Sequence, residues 1–328
     1  MRALVTGATG FAGSHLVDDL LADDHQVFGL IYAKDGRERP VDHPAFTPIE
    51  GDLLNLDSLH AAVGQARPDV IYHLAGWALT ARSWSYPART IMVNTAGTAN
   101  LLQAAVEGGS PRVVAITSAE IYGTVGREDL PITEATKPEP RHPYGVSKWA
   151  ASRLIPLFWQ RFELPVVEAR PFNHIGPRQE PGFVVPDFAS QLAAIKLGMQ
   201  PPTISVGNLS AERDFTDVRD VVRAYRLLAE EGRPGETYLI CSGQPVPIHY
   251  LLNALIELGE VSVEVRYDPE RMRPSDTPVL FGSYDRLGED TGWQPRIHLR
   301  TSLRDTFDYW IERLQAEAET PEKAGQAG

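Results

Sequence analysis

Three glycines spaced three apart, directly after a short apolar run, constrain this chain more than any other feature. Ala3 to Thr6 is uncharged and short, as a buried strand would be. The segment TGATGFAG then sets Gly7, Gly10 and Gly13 at the mouth of a stretch with helical spacing, Phe11 to Leu21. A strand that turns through glycines into a helix aims free backbone N–H groups, and the positive end of the helix dipole, at one spot. A dinucleotide pyrophosphate needs that arrangement. One glycine makes the tight turn, one lets the backbone approach the phosphates, and one lets helix and strand pack closely. Gly7, Thr9, Gly10, Phe11, Ala12 and Gly13 are therefore predicted to hold a dinucleotide.

The rest of the chain suits that start. Short apolar runs at Val27 to Ile31, Phe46 to Ile49, Val70 to Leu74, Arg112 to Thr117 and Val166 to Ala169 alternate with helical stretches near 55–63, 88–106 and 144–162. Strands alternating with helices mean βαβ crossovers, and continuously apolar strands mean a sheet covered on both faces. The predicted fold class is α/β, a Rossmann-like doubly wound parallel sheet with a smaller C-terminal α/β domain for substrate. After Pro171 prolines become frequent and the elements shorten. The expected division is 1–171 plus about 218–242 for the cofactor, and 172–217 with 243–315 for the substrate. The segment from Ala316 to Gly328 has no apolar anchor and is expected to be disordered.

Composition limits the function. The net charge of −12 argues against a nucleic-acid surface but leaves room for a local phosphate pocket. A single cysteine, Cys241, excludes a disulfide framework and an all-cysteine zinc site. No window is long and apolar enough for a membrane span, and no secretory pattern opens the chain, so the reading is a soluble cytoplasmic protein without membrane partners. No two histidines sit at ligand spacing on one helix, so no metal is expected. His73 is expected to be a packed strand residue.

Tyr144-Gly145-Val146-Ser147-Lys148 opens a helix just beyond the segment Thr117-Ser118-Ala119-Glu120-Ile121-Tyr122, at the end of a strand. Active sites of open α/β sheets lie at such ends. Residues four apart share a helix face. A lysine ammonium there is expected to stabilise tyrosinate and pull the phenol down from its usual value of about 10 toward working pH. The phenol can then pass a proton to or from a substrate oxygen.

The G-x-x-G-x-x-G spacing and the Y-x-x-x-K pair resemble the short-chain dehydrogenase/reductase superfamily, and TGATGFAGSHL resembles its extended, nucleotide-sugar-modifying branch. The resemblance covers residues 1 to about 314 and implies a role for each matching position. Ser118 would bond the reacting oxygen, Tyr144 would act as acid, and Lys148 would hold the nicotinamide ribose. Asp52 and Leu53 would meet the adenine, and Leu74, Ala75 and Gly76 end a strand where the sheet meets the cofactor. Phe172 would touch nicotinamide with its backbone. Asn173, Val184, Arg213 and Arg273 would bind the nucleotide diphosphate or line the substrate side. Glu120 stands where 4,6-dehydratases carry the carboxylate that abstracts the C5 proton, although some reductases carry an acid there too.

No acid ends the second strand, and Arg37 and Arg39 follow it, which favours NADP(H) over NAD(H). The segments RPFNHIGPRQEPGFVVPDFA and RDFTDVRDVVRAY resemble reductases of GDP-4-keto-6-deoxy sugars more than dehydratases. They imply a GDP-sugar substrate and reduction at C4 of GDP-4-keto-6-deoxy-D-mannose to GDP-D-rhamnose, and the superfamily resemblance implies a homodimer packed through the helices near 88–106 and 144–162. Arg178 departs from the glycine many such reductases carry. A 4,6-dehydratase or 4-epimerase with retained NAD(P), and a non-catalytic nucleotide sensor, stay open as alternatives.

Overall fold

Ala3, Leu4 and Val5 are fully buried, and a strand buried on both faces belongs in the middle of a parallel sheet. The computed structural model describes residues 1–32, 42–269 and 277–319. Its first half runs β1 (Arg2–Thr6), α1 (Phe11–Ala22), β2 (Gln26–Ile31), β3 (Phe46–Glu50), α2 (Leu56–Ala66), β4 (Val70–His73), α3 (Thr80–Ser85), α4 (Pro87–Ile91), α5 (Gly97–Glu107), β5 (Arg112–Ile116), α6 (Pro143–Phe162) and β6 (Val166–Pro171). The second half runs β7 (Asn173–Ile175), α7 (Val184–Lys196), β8 (Thr203–Val206), β9 (Glu212–Asp217), α8 (Val218–Glu230), β10 (Thr237–Ile240), β11 (Pro245–Pro247), α9 (Ile248–Gly259), β12 (Glu264–Tyr267), β13 (Val279–Leu280), α10 (Asp285–Thr291) and α11 (Leu299–Glu319).

Seven strands form one sheet in the order β10-β6-β5-β4-β1-β2-β3, all parallel. The doubly wound class expected from the sequence is therefore present. The order reverses between β1 and β4, so the carboxyl ends of these strands flank a crevice, where open α/β sheets bind ligands. One face packs on α1 and α8 through Leu16, Val17, Leu20, Val221 and Tyr225. The other packs on α2, α5 and α6 through Leu59, Val63, Leu101 and Ile155. Leu287 and Trp293 join the first of these cores, although the sequence reading put them in the substrate half.

A second, four-stranded sheet is centred on β9, which pairs with β7, β11 and β13. Around it α7, α9 and α11 share a core of Phe188, Leu192, Leu251, Leu255, Phe307 and Trp310. The short strands β7, β9, β11 and β13 escaped the sequence reading, because β9 opens with Glu212, Arg213 and Asp214 and the others span only two or three residues. The helix expected over 88–106 is instead α4, a π-helical turn at Met92–Ala96, and α5. Helix α11 continues to Glu319, so Ala316 to Glu319, expected to be disordered, are helical. A helix seeded on packed turns extends readily through Ala, Glu and Gln. No helix among the described residues is long and apolar enough to cross a membrane.

The tightest constraint lies between β1 and α1. A Cβ on Gly13 would stand 2.0 Å from the Gly7 carbonyl oxygen, so helix and strand touch through bare backbone. Gly13→Ala must push α1 off the sheet and should cost about 2–3 kcal/mol, read as a lower urea midpoint at unchanged slope; an unshifted midpoint would show that α1 does not seat this closely.

Candidate active site

The glycine turn is built as its sequence implies. Gly7 has φ +72°, a left-handed backbone that favours glycine, and a Cβ there would lie 2.8 Å from the Ala75 nitrogen. The Gly10 N–H donates to the Gly7 carbonyl at 2.9 Å and closes the turn that carries Thr9. Gly10 caps α1 in extended backbone, and the first turn, with Phe11, Ala12 and Gly13, holds no acidic residue. The Gly10 cap offers no side-chain bond to this helix end and no acid stands in its first turn, which fits a dinucleotide pyrophosphate.

Along the sheet edge, Asp52 accepts the Leu54 N–H at 2.9 Å, while Asn55, not Asp52, caps α2. Leu53 is buried against Gly97, and its carbonyl accepts the Asn100 side-chain amide at 2.9 Å. Leu74, Ala75 and Gly76 follow β4, with the Ala75 N–H donated to the Thr6 hydroxyl at 3.1 Å. His73 is a packed strand residue: its ring nitrogens bond the Thr6 and Thr98 hydroxyls, each at 2.9 Å, and burial lowers it to about 3. Arg37, with Arg39, lies outside the described residues.

Ser118, Tyr144 and Lys148 come together. Ser118 follows β5, and Tyr144 and Lys148 lie in the first turns of α6. All three are nearly buried, and the Ser118 hydroxyl accepts the Glu120 N–H at 3.2 Å. The Lys148 ammonium donates to the Ile116 carbonyl at 2.8 Å.

The expected depression of the phenol is corrected. Burial pushes Tyr144 up to about 12, the Ser118 bond opposes this only in part, and the Glu120 charge pushes the same way. Lys148 is itself drawn down to about 8 by burial, against the pull of Glu168. At neutral pH the phenol holds its proton firmly.

Glu120 accepts a hydrogen bond from the His142 Nε2 at 2.8 Å. His142 also caps α6, its Nδ1 accepting the Gly145 N–H at 3.0 Å, and this fixes the ring proton on Nε2. The turn bearing Glu120 is thereby tied to the start of the helix bearing Tyr144.

Two features of the site were missed in the sequence. Asn94, in the π-helical turn, donates to the Trp77 carbonyl and the Ser147 hydroxyl and accepts the Trp77 N–H at 2.7 Å. A Cβ on Gly76 would meet Asn94 Oδ1 at 2.9 Å and the Lys148 ammonium at 3.5 Å, so these three converge. A lone amide after Ile91-Met92-Val93 was the available signal. The second is a buried pair, Glu168 with Arg170. Arg170 grips both carboxylate oxygens and donates to the Tyr122 and Ser152 hydroxyls at 2.8 Å. Thr117 and Thr237 donate to the same carboxylate at 2.6 and 2.8 Å.

On the substrate side, Phe172 is buried against Gly282 and Cys241, and Asn173 opens β7. Val184 begins α7. The Arg213 guanidinium donates to the Glu212 and Thr277 carbonyls at 2.9 and 2.6 Å. Arg273 lies outside the described residues. Arg178 turns away from this side and binds α1.

The profile of the GDP-mannose 4,6 dehydratase family matches residues 4–306. The GDP-6-deoxy-D-mannose reductase of Pseudomonas aeruginosa is 40% identical over 318 residues, spanning 96% of this chain and 99% of that one. The UDP-glucose 4-epimerase of Mycolicibacterium smegmatis is 31% identical, over 96% of this chain and all of that one. Among solved structures, RMD from Pseudomonas aeruginosa complexed with NADPH superposes with a TM-score of 0.83 at 37% identity, over 95% of this chain and 100% of that one. The glycine cradle, the Ser118–Tyr144–Lys148 set and these likenesses agree, and the chain belongs to the GDP-mannose 4,6-dehydratase family within the extended short-chain dehydrogenases/reductases.

Proposed function

We propose that this protein is an NADPH-dependent reductase of the C4 ketone of GDP-4-keto-6-deoxy-D-mannose, forming GDP-D-rhamnose. One observation carries the choice among the family's reactions: 40% identity to a GDP-6-deoxy-D-mannose reductase over 96% of the chain. A reductase meets its substrate as a ketone and needs an acid. A dehydratase or epimerase begins by oxidising a hydroxyl and needs a base. The buried Tyr144, its phenol raised by burial, suits the acid role of the same reading.

In this reading the turn Gly7–Gly13 cradles the cofactor pyrophosphate, Asp52 and Leu53 face the adenine, and Lys148 holds the nicotinamide ribose. Arg37 reads the 2′-phosphate. The bound cofactor supplies the hydride. Ser118 donates a hydrogen bond that polarises the C4 carbonyl, and Tyr144 passes its proton to the oxygen as negative charge develops there. An alkoxide is basic enough to take a proton from a phenol of raised pKa. Asn173, Val184, Arg213 and Arg273 seat the GDP-sugar. Glu120, tied to His142, orients the sugar instead of abstracting a proton from it. Residues 1–171 with about 218–242, joined by Leu287 and Trp293, form the cofactor half.

We also assign a homodimer in the cytoplasm, with the single thiol of Cys241 buried and reduced. Ile91, Met92, Val146 and Leu157 are exposed apolar residues on α4, the π turn and α6, the helices expected to pair. Sedimentation should return twice the 36.2 kDa chain mass, and a monomer at micromolar concentration would refute the pairing. Tyr144→Phe removes only the acid. It should bind NADPH within about threefold of the parent yet lose about a hundredfold or more in turnover of the ketone, measured by NADPH absorbance. Turnover within a few-fold of the parent would remove Tyr144 from the proton-donor role.

A further inference from the structure

Arg178 has φ +70°, a left-handed backbone rarely adopted by a residue with a Cβ. Its side chain explains why arginine stands there. One guanidinium nitrogen donates to His15 Nδ1 at 2.8 Å, and another pairs with Asp18 at 2.7 Å. Both partners lie on α1, the helix whose first turn forms the glycine cradle. His15 Nε2 donates to the Pro177 carbonyl at 2.9 Å. Arginine has no acceptor, so the His15 tautomer is fixed, and burial lowers the ring to about 4, keeping it neutral. One turn earlier, Phe11 stacks on His174, with ring centroids 5.6 Å apart and planes within 5°. The chain that leaves Phe172 and Asn173 for the substrate sheet is therefore fastened to the cofactor helix at His174, Pro177 and Arg178.

We infer that Arg178 is a positioning residue, a latch that holds the substrate-binding segment after β7 at a fixed distance from the cofactor helix α1 and so couples the binding of nucleotide sugar to that of dinucleotide. The inference rests on the proposed reductase reading for its rate effect but not for its binding effect. When the latch is closed, ordering α1 around a dinucleotide also orders Asn173 to Val184, so the second ligand meets a formed site. Asp18 is half exposed, so its ion pair alone is weak. The bond to buried His15 gives the latch its direction. A lysine at 178 can satisfy Asp18 as a point charge but lacks the planar fork that reaches His15 as well.

Arg178→Gly separates the latch from the fold, because glycine suits the left-handed backbone and compensates for the lost ion pair. The experiment measures GDP affinity by calorimetry with and without NADP+, together with melting temperature and steady-state reduction of the ketone. The parent should bind GDP about tenfold more tightly with NADP+ present. Arg178→Gly should melt within a few degrees of the parent and bind NADP+ within about threefold. It should lose most of the GDP–NADP+ coupling and about tenfold in kcat, with KM for NADPH nearly unchanged. Arg178→Lys should recover only part of both. Absence of coupling in the parent, or full coupling and kcat in Arg178→Gly, would overturn the latch. So would a fall in melting temperature and in NADP+ affinity that accounts for the lost activity. A parent that shows coupling but reduces no ketone would sink the reductase reading and leave the latch standing.

Discussion

The site depends on one buried ion pair. Glu168 and Arg170 both lie on β6, fully inside the protein, and their bidentate contact is the hub of a small polar network. Burial alone would push the Glu168 carboxyl up, yet Arg170 and the hydroxyls of Thr117 and Thr237 bring it below the ordinary carboxylate range. Three of the other bonds reach elements that carry catalytic machinery. Thr117 precedes Ser118, Tyr122 ends the Ser118–Glu120 turn, and Ser152 lies one turn beyond Lys148 on α6. The pair therefore ties the Ser118–Tyr122 turn to helix α6, which carries Tyr144 and Lys148. Removing one partner leaves an unpaired buried charge, which costs about 3–5 kcal/mol, so the arrangement tolerates little drift.

The same network shapes the electrostatics. Glu168 is the charge that keeps Lys148 from falling further as burial strips its solvation. Tyr144 has no such neighbour. It faces Ser118 and the Glu120 charge, and burial raises it. The simple picture of an ammonium one turn away lowering a phenol fails because burial outweighs it, while the Lys148 ammonium donates to the Ile116 carbonyl. What results is an acid with its proton in place, matched to a ketone substrate.

Much of this was legible in the sequence, for physical reasons. The apolar runs of β1, β4 and β5 and the glycine turn are local patterns, and each can be read without its neighbours. Ser118, Tyr144 and Lys148 were legible because a strand end and a helix start place them. Asn94 and the Glu168–Arg170 pair were not, because their meaning lies in contacts distant in the chain, as with Asn94 to Trp77 and Thr117 to Glu168. Strand β9 was missed because its charges mask a pattern that only its partners β7, β11 and β13 reveal. Arg178 read only as a departure from glycine, whereas its side chain turns to His15 and Asp18 on α1.

The central claim is that hydride leaves an exchangeable cofactor for C4 of a keto sugar while Tyr144 supplies the proton. It is tested most directly by incubating the protein with GDP-4-keto-6-deoxy-D-mannose and NADPH deuterated at the transferable position of C4, and reading the product by NMR. The account predicts one deuterium at sugar C4, with one NADPH consumed per product formed. A product without deuterium at that carbon, or conversion that consumes no NADPH, would contradict it and point to a dehydratase or epimerase cycle on a retained cofactor.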